Sequence, residues 1–340
     1  MVTPVLYAIH SRFFDHDTGY GHPERPARLR AVDDGIDAAG LRGALQPVLP
    51  TPAPDEALAR VHPAVYLRAI EAFCEQGGGY LDGDTHVGPA SWEAAKLAAG
   101  AGLEVIRALE AGKGEVGFCA VRPPGHHATT DRAQGFCLVN NVAVAAKELA
   151  ARGERVAIVD YDAHHGNGTQ DIFWEDPDVF YVSMHEWPLY PGTGRATDVG
   201  AGAGLGTTLN LPFPAGTTGE SYRTAMHDVV LPVLEAWGPT WLLISAGFDG
   251  HRRDPITDLG LSAGDFADLT KDLFTLVPPG RRLLYLEGGY DLEALSSSVG
   301  SVLSAVVDDG AYRPEAPSSG GTDNDVSAQA LKVRDLLADG

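Results

Sequence analysis

Short apolar runs rich in β-branched residues recur along the chain, and between them lie longer stretches in which apolar residues return every three or four positions. The first kind predicts strands over residues 5–10, 116–121, 156–160, 179–183, 208–211, 241–245 and 283–286. The second predicts helices over 63–74, 89–109, 140–151, 220–237, 263–276 and 292–307. Strand and helix taking turns is the mark of βαβ units, so the expected fold is α/β: a single-domain open parallel β-sheet flanked by helices. No internal repeat is visible, and no Pro/Ser-rich break divides the chain before Pro314-Glu315-Ala316-Pro317-Ser318-Ser319-Gly320-Gly321. That stretch reads as a mobile linker to a short helix at 328–338, which divides the chain into a catalytic domain over 1–312 and a linker with terminal helix over 313–340.

Composition narrows the class. Hydrophobic residues make up 44% of the 340, enough for a sizeable core and too many for a disordered or fibrous chain. Only Cys74, Cys119 and Cys137 occur, none in a CxxC pair, so neither a disulfide framework nor a thiolate zinc site is indicated and any metal must use His and carboxylates. A net charge of -21 argues against nucleic acid and anionic membrane as partners and favours cationic ligands, although an acidic surface also serves solubility alone. The N-terminal stretch has no basic leader region, and no run of about 20 apolar residues exists, so a soluble, cytoplasmic protein is expected.

In open parallel sheets ligands bind beyond the carboxyl ends of the strands, so the polar residues just after each apolar run hold the candidate chemistry. Four such places are unusual. After 156–159 comes Asp160-Tyr161-Asp162-Ala163-His164-His165-Gly166-Asn167-Gly168, where strand alternation lets Asp160, Asp162 and His164 point the same way. The strand at 241–245 runs into Ala246-Gly247-Phe248-Asp249. Asp162, His164 and Asp249 together offer two oxygens and one nitrogen, a three-ligand set that leaves positions open for water and substrate, as catalytic zinc requires. An Asp at a strand end is by itself more often a turn former or helix cap, so the combination carries the weight. The third place, Arg122-Pro123-Pro124-Gly125-His126-His127, holds two adjacent imidazoles in a rigid loop, suited to proton transfer near neutral pH. The fourth, Glu287-Gly288-Gly289-Tyr290, brings a phenol behind two glycines, where it can donate to an oxygen that turns negative in a transition state.

These four segments resemble, in the same order, the signature segments of the histone deacetylase and acetylpolyamine amidohydrolase superfamily. Further similarity lies in His22-Pro23-Glu24-Arg25-Pro26-Ala27-Arg28-Leu29, Gly135-Phe136-Cys137, Asn140-Asn141 and Tyr190-Pro191-Gly192-Thr193-Gly194, so the resemblance runs from about residue 10 to about residue 300. It implies the arginase/deacetylase fold, one zinc ion on Asp162, His164 and Asp249, and Tyr290 hydrogen-bonded to the substrate carbonyl. It implies that His126 and His127 flank the attacking water, backed by Asp160 and Asn167. Gly135, Phe136 and Tyr190 would form the tunnel for the acyl-lysine stem, and a structural potassium ion would sit at Asp160, Asp162, His164, Ser183 and Met184. Asn167 stands where class I members carry a second Asp, which places the chain on the bacterial class II side and leaves His127 without a neighbouring negative charge, suited to act as base. Relative to arginase, the carboxylates for a second metal are missing.

The reading is thus a zinc-dependent deacetylase that hydrolyses acetyl or other acyl amides and releases acetate. Its partners would be acetylated lysine side chains of proteins or peptides, with acetylated polyamines as the alternative, and a homo-oligomer is compatible. Iron(II) is an alternative metal. A non-catalytic acyl-lysine-binding relative would be expected to lack Tyr290, a histidine of the pair or a ligand, and none is lacking. His165 reads as a buried neighbour; His10, His62, His86, His185, His227 and His251 read as structural or solvent-facing; His22 and Asp84 are candidates for the rim of the pocket that the site assignment does not include.

Overall fold

A computed structural model of the chain describes residues 4–308, 310–321 and 325–338; the first three residues of the N-terminal stretch and parts of the C-terminal one lie outside them. Ten strands are described: β1 (Val5–Ala8), β2 (Leu45–Val48), β3 (Gly79–Tyr80), β4 (His86–Val87), β5 (Val116–Cys119), β6 (Val156–Asp160), β7 (Val179–Glu186), β8 (Thr208–Phe213), β9 (Trp241–Ala246) and β10 (Arg282–Leu286). Eight form one sheet in the order β2-β1-β5-β10-β9-β6-β7-β8, with every pairing parallel, and β3 and β4 form a separate antiparallel hairpin. Strands β5, β6, β7 and β9 are buried along their whole length. Parallel strands covered on both faces lose the hydrophobic alternation of a half-exposed sheet and keep only unbroken apolar runs.

The helices that cover the sheet bury their apolar faces. Ser91–Glu110 turns Trp92, Ala95, Leu103 and Ile106 inward and packs beside β1, β5 and Asn141–Ala150. Leu292–Val307 lies between Ala27–Ala38 and Ala263–Leu273. The last of these starts with a reciprocal cap: Ser262 Oγ accepts from the Asp265 amide and the Asp265 carboxylate accepts from the Ser262 amide, which satisfies two donors that a helix start leaves free. Among the described residues no helix is long and apolar enough to cross a membrane.

Several elements differ from the sequence reading, which read neither the helix Ala27–Ala38 nor the β3–β4 hairpin. β2 went unread because it is a partly exposed edge strand whose Leu-Gln-Pro-Val sequence has no apolar run; Pro47 is tolerated only at such an edge. The helix expected over 220–237 is Gly219–Ala225 and Leu231–Trp237 joined by a π-helical turn, Met226–Val230, beside Pro232, whose missing N–H removes one helical hydrogen bond. The stretch from Arg313 to Gly321, read as a mobile linker, is instead bound to the body as a strap. Arg313 donates to Asp268 (2.6 Å), Glu315 accepts from His251 Nε2 (2.8 Å) and the Ala263 amide (3.0 Å), Ser318 Oγ donates to Asp265 (2.6 Å), and the Gly320 amide donates to Glu220 (2.7 Å). Its Pro, Ser and Gly content signals irregular backbone, which is present, and says nothing about the carboxylates that hold it. Beyond it, Val326–Ala338 buries Val326 and Ala330 and packs on β8.

Candidate active site

Strands β5, β10, β9 and β6 are consecutive in the sheet, and they are the four that run into the chemistry-bearing segments. Early and late strands lie side by side there, β5 against β10 and β6 against β9, so residues far apart in sequence leave the same edge of the sheet together. This is where open α/β sheets build their sites.

Asp162, His164 and Asp249 are buried and converge, with one ligand atom from each lying within 4.8 Å of the other two. His164 Nδ1 is 3.2 Å from Asp162 Oδ1 and 3.0 Å from Asp249 Oδ2. Backbone amides aim the carboxylates: Asp162 accepts from Gly288 N (2.7 Å) and His164 N (2.9 Å), and Asp249 accepts from Ala163 N (2.8 Å). Burial and the negative charge of Asp162 push Asp249 up to about 6. For Asp162 burial acts the same way, but the positive charges that the site places on His126 and His164 outweigh it and hold the group below the ordinary carboxylate range. Two carboxylates packed this closely without solvent repel each other, and a cation between them relieves both. Two oxygens and one imidazole nitrogen, with no sulfur, are donors that Zn(II) and Fe(II) accept, so the residues fit such an ion.

The paired histidines are held from behind. Arg122 is buried and donates to the Glu24 carboxylate, Phe13 O (2.7 Å) and His16 O (3.2 Å), while the Glu287 carboxylate accepts from Gly125 N (2.7 Å) and His126 N (3.2 Å). The two rings lie 4.0 Å apart. His126 Nδ1 is 3.0 Å from Asp160 Oδ2, which also accepts from Tyr181 O–H (3.1 Å). His127 Nδ1 is 2.8 Å from Asn167 Oδ1. A carboxylate and an amide oxygen only accept, so each ring carries a proton on Nδ1, and on the ring that stays neutral Nε2 is left free. The rings differ in charge preference. Burial opposes charge on both; on His126 the Asp162 and Asp160 carboxylates overcome it and raise the ring to about 10, whereas His127, facing His126 and His164, is held well below its ordinary value. One imidazole that favours its cation lies beside one that favours neutrality.

Across the site Tyr290 is almost fully buried, its ring 5.9 Å from Phe136 with Arg28 5.1 Å from its centroid. Burial and then the Asp249 charge raise the phenol well above its ordinary value, so it stays a donor. His127, His164 and Tyr290 reach a cavity of about 290 Å³ that also touches Gly135, Phe136 and Tyr190. Tyr190 is half-exposed, its ring 5.1 Å from His127. Gly135 (φ +55) lies so close to His127 that a Cβ would meet the ring at 2.4 Å. Phe136 has φ 69 and is held there by its N–H, which donates to Thr85 Oγ1 (3.0 Å). Away from the cavity, Asp160 and Ser183 are register partners on β6 and β7, and the carbonyl of buried Met184 accepts from Tyr222 O–H (3.1 Å).

The sequence reading kept His22 and Asp84 only as rim candidates outside the site and left out other groups found here. Asp84 lines the cavity and His22 packs edge-on to Phe136 at 4.6 Å, both brought in by the β3–β4 hairpin, where His22 Nε2 meets Asp84 O (3.0 Å). Leu189 and Ile256 also reach the cavity from irregular loops with no periodic pattern to announce them. Glu287 was quoted for its motif without a role, and Asp254 had no local signal at all. His165 is buried between Thr193 and Gln170, and His251 is buried against the strap.

Comparison with known proteins adds to this geometry. The histone deacetylase domain family matches residues 22–306. A probable deacetylase of Archaeoglobus fulgidus is 37% identical over 93% of this chain and 91% of its own length. A histone deacetylase-like amidohydrolase of Pseudomonas aeruginosa is 40% identical over 79% of this chain and 73% of its own. The crystal structure of the HDA15 HD domain superposes with a TM-score of 0.89 at 34% identity, covering 98% of this chain and 96% of that one.

Proposed function

The chain belongs to the histone deacetylase family, and from that premise we propose that it hydrolyses acyl amides with the help of one divalent metal ion, taking N-ε-acetyl-lysine in proteins or peptides and releasing acetate. The observation that carries the reading is the convergence of Asp162, His164 and Asp249 beside two imidazoles of opposite charge preference, at a cavity that His127, His164 and the Tyr290 phenol line together.

Asp162, His164 and Asp249 would hold zinc, or iron(II), which when bound supplies a Lewis acid for the acyl oxygen and lowers the pKa of water. His127, neutral with Nε2 free, takes the proton of the attacking water, and Asn167 keeps its tautomer. His126, whose cation Asp160 stabilises, supplies positive charge at the same place and a proton for the departing amine. The Tyr290 hydroxyl donates to the oxygen that becomes negative. Gly135, Phe136 and Tyr190 enclose the aliphatic stem and keep water from it, the glycine because it lets the wall approach His127. A potassium ion at Asp160, Asp162, His164, Ser183 and Met184 belongs to the same reading, as does a cytoplasmic location, with which three free, buried cysteines agree.

Asp84 on the cavity wall and the net charge of -21 favour a second substrate class, acetylated polyamines. Values of kcat/KM on an acetyl-lysine peptide and on N-acetylputrescine separate the two. The peptide is expected to be preferred at least about tenfold, a difference of about 1.4 kcal/mol. Preference for N-acetylputrescine assigns the enzyme to polyamines, and turnover of neither by metal-loaded protein leaves the non-catalytic acyl-lysine-binding reading.

A further inference from the structure

Tyr290 follows Gly288 and Gly289, the latter at φ +116, so its own chain does little to fix where the phenol points. Among the described residues no hydrogen bond holds the hydroxyl itself. The turn is held from outside. On its upstream side Arg28 Nε donates to Gly289 O (2.7 Å) and Phe248 N donates to Gly288 O (3.0 Å). On its downstream side Tyr290 N donates to the carboxylate of Asp254 (2.7 Å), and Asp291 N donates to the same oxygen at 3.4 Å. The other oxygen of Asp254 accepts from Ile256 N (3.2 Å), and Ile256 lines the same cavity as Tyr290.

Asp254 is 8% exposed and, among the described residues, no cation pairs with it; all its partners are backbone amides. A buried carboxylate without a cation is costly, and burial together with the Asp249 charge pushes this one up to about 7. Its two oxygens are aimed at two segments that both line the cavity, one through Tyr290 and the other through Ile256. The loop that carries it also carries Asp249 and is braced on the outside, where His251 Nε2 donates to Glu315 of the strap.

We propose that Asp254 is the positioning residue of the Tyr290 phenol, clamping the tyrosine backbone to the Ile256 segment so that the hydroxyl meets the acyl oxygen. The inference rests on the reaction proposed above, in which Tyr290 donates to that oxygen. Asp254 touches neither substrate nor metal ligand; it acts only through the residue it holds.

The test is a double-mutant cycle on the metal-loaded full chain with an acetyl-lysine peptide. Tyr290→Phe is expected to lower kcat by about 10²–10³-fold, the usual loss for one oxyanion donor. Asp254→Ala is expected to lower kcat by about 10–100-fold, with KM within about threefold and one metal per chain retained. Asp254→Asn keeps one acceptor oxygen and recovers part of the loss; it also carries the test if the alanine variant does not fold. Because the clamp works through the phenol, Asp254→Ala combined with Tyr290→Phe should turn over no more slowly than Tyr290→Phe alone. Losses that multiply in the double variant overturn the inference, as does an Asp254→Asn variant that loses its metal. Wild-type turnover and the Tyr290→Phe loss test the reaction; the cycle tests the clamp.

Discussion

Gly288→Ala removes nothing from the site and adds a single methyl group, yet it is expected to abolish metal binding. A Cβ built on Gly288 lies 2.1 Å from Asp249 Oδ2 and 2.6 Å from Asp162 Oδ2, two of the three candidate ligands. Ordinary carbon–oxygen contact needs about 3.4 Å, so Asp249 Oδ2 must retreat by about 1.3 Å, whereas metal–ligand distances tolerate about 0.2 Å. The carboxylates have no slack to give, because Asp249 Oδ1 is tied to Ala163 N and Asp162 Oδ2 to Gly288 N itself. Loss of one ligand and displacement of another should weaken the metal by at least about 100-fold, or about 2.7 kcal/mol. The assay is metal content by mass spectrometry after desalting, together with the thermal shift that added Zn(II) produces. Wild type should retain one equivalent and gain stability; the variant should stay folded, retain under about a tenth of an equivalent and show no shift. A Gly288→Ala protein with one tightly held equivalent refutes the geometry given for the metal site.

Thr85→Val keeps side-chain shape but removes the acceptor of the Phe136 N–H, leaving a bulky residue at φ 69 without its tie. The lost hydrogen bond, about 1 kcal/mol, should raise KM for an acyl-lysine peptide about fivefold with kcat within about twofold, and Thr85→Ser should restore it; an unchanged KM contradicts Thr85 as the support of the wall. His62 accepts from Asn140 N at Nε2 (3.0 Å) and donates from Nδ1 to Thr130 O (3.0 Å), so the folded protein uses the neutral ring, and burial holds it at about 4 against 6.5. The unfolded chain therefore binds a proton that the folded one refuses. Stability from this group is complete above pH 6.5 and falls by up to about 1.4 kcal/mol per pH unit as pH drops toward 4. Denaturant melts of wild type and His62→Gln across that range should converge at low pH, and parallel curves would show that His62 takes no part.

How much of this was legible in the sequence depended on whether a residue announced itself locally. Asp162, His164, Asp249 and Tyr290 each follow an unbroken apolar run that could only be a buried strand, so their place at the carboxyl edge of the sheet could be read without knowing the strand order. That β5, β10, β9 and β6 are neighbours could not, because it depends on which strands pair at long range, Arg282 with Val116 and Val156 with Trp241 among them. The cavity wall was legible in Phe136 and Tyr190 only through the resemblance of their segments to the family's, Asp84 was seen only as a rim candidate, and Leu189 and Ile256, which sit in loops shaped by contacts from elsewhere, were illegible. Asp254 shows the limit most clearly: an Asp before a Pro reads as an ordinary turn, and only the fold reveals that its carboxylate reaches the Tyr290 backbone. The strap erred in the other direction. Its Pro, Ser and Gly residues suggested freedom, while Asp265, a helix-cap residue far away in the chain, fixes it.

The central claim is that one divalent ion, held by Asp162, His164 and Asp249, is needed to cleave an acyl amide. The most direct measurement strips the protein with a chelator, returns Zn(II) in steps, and follows acetate released from an acetyl-lysine peptide. Activity should vanish on stripping, rise in proportion to added metal and level off at one equivalent per chain. Turnover that survives complete stripping, or a plateau reached only at two equivalents, contradicts it.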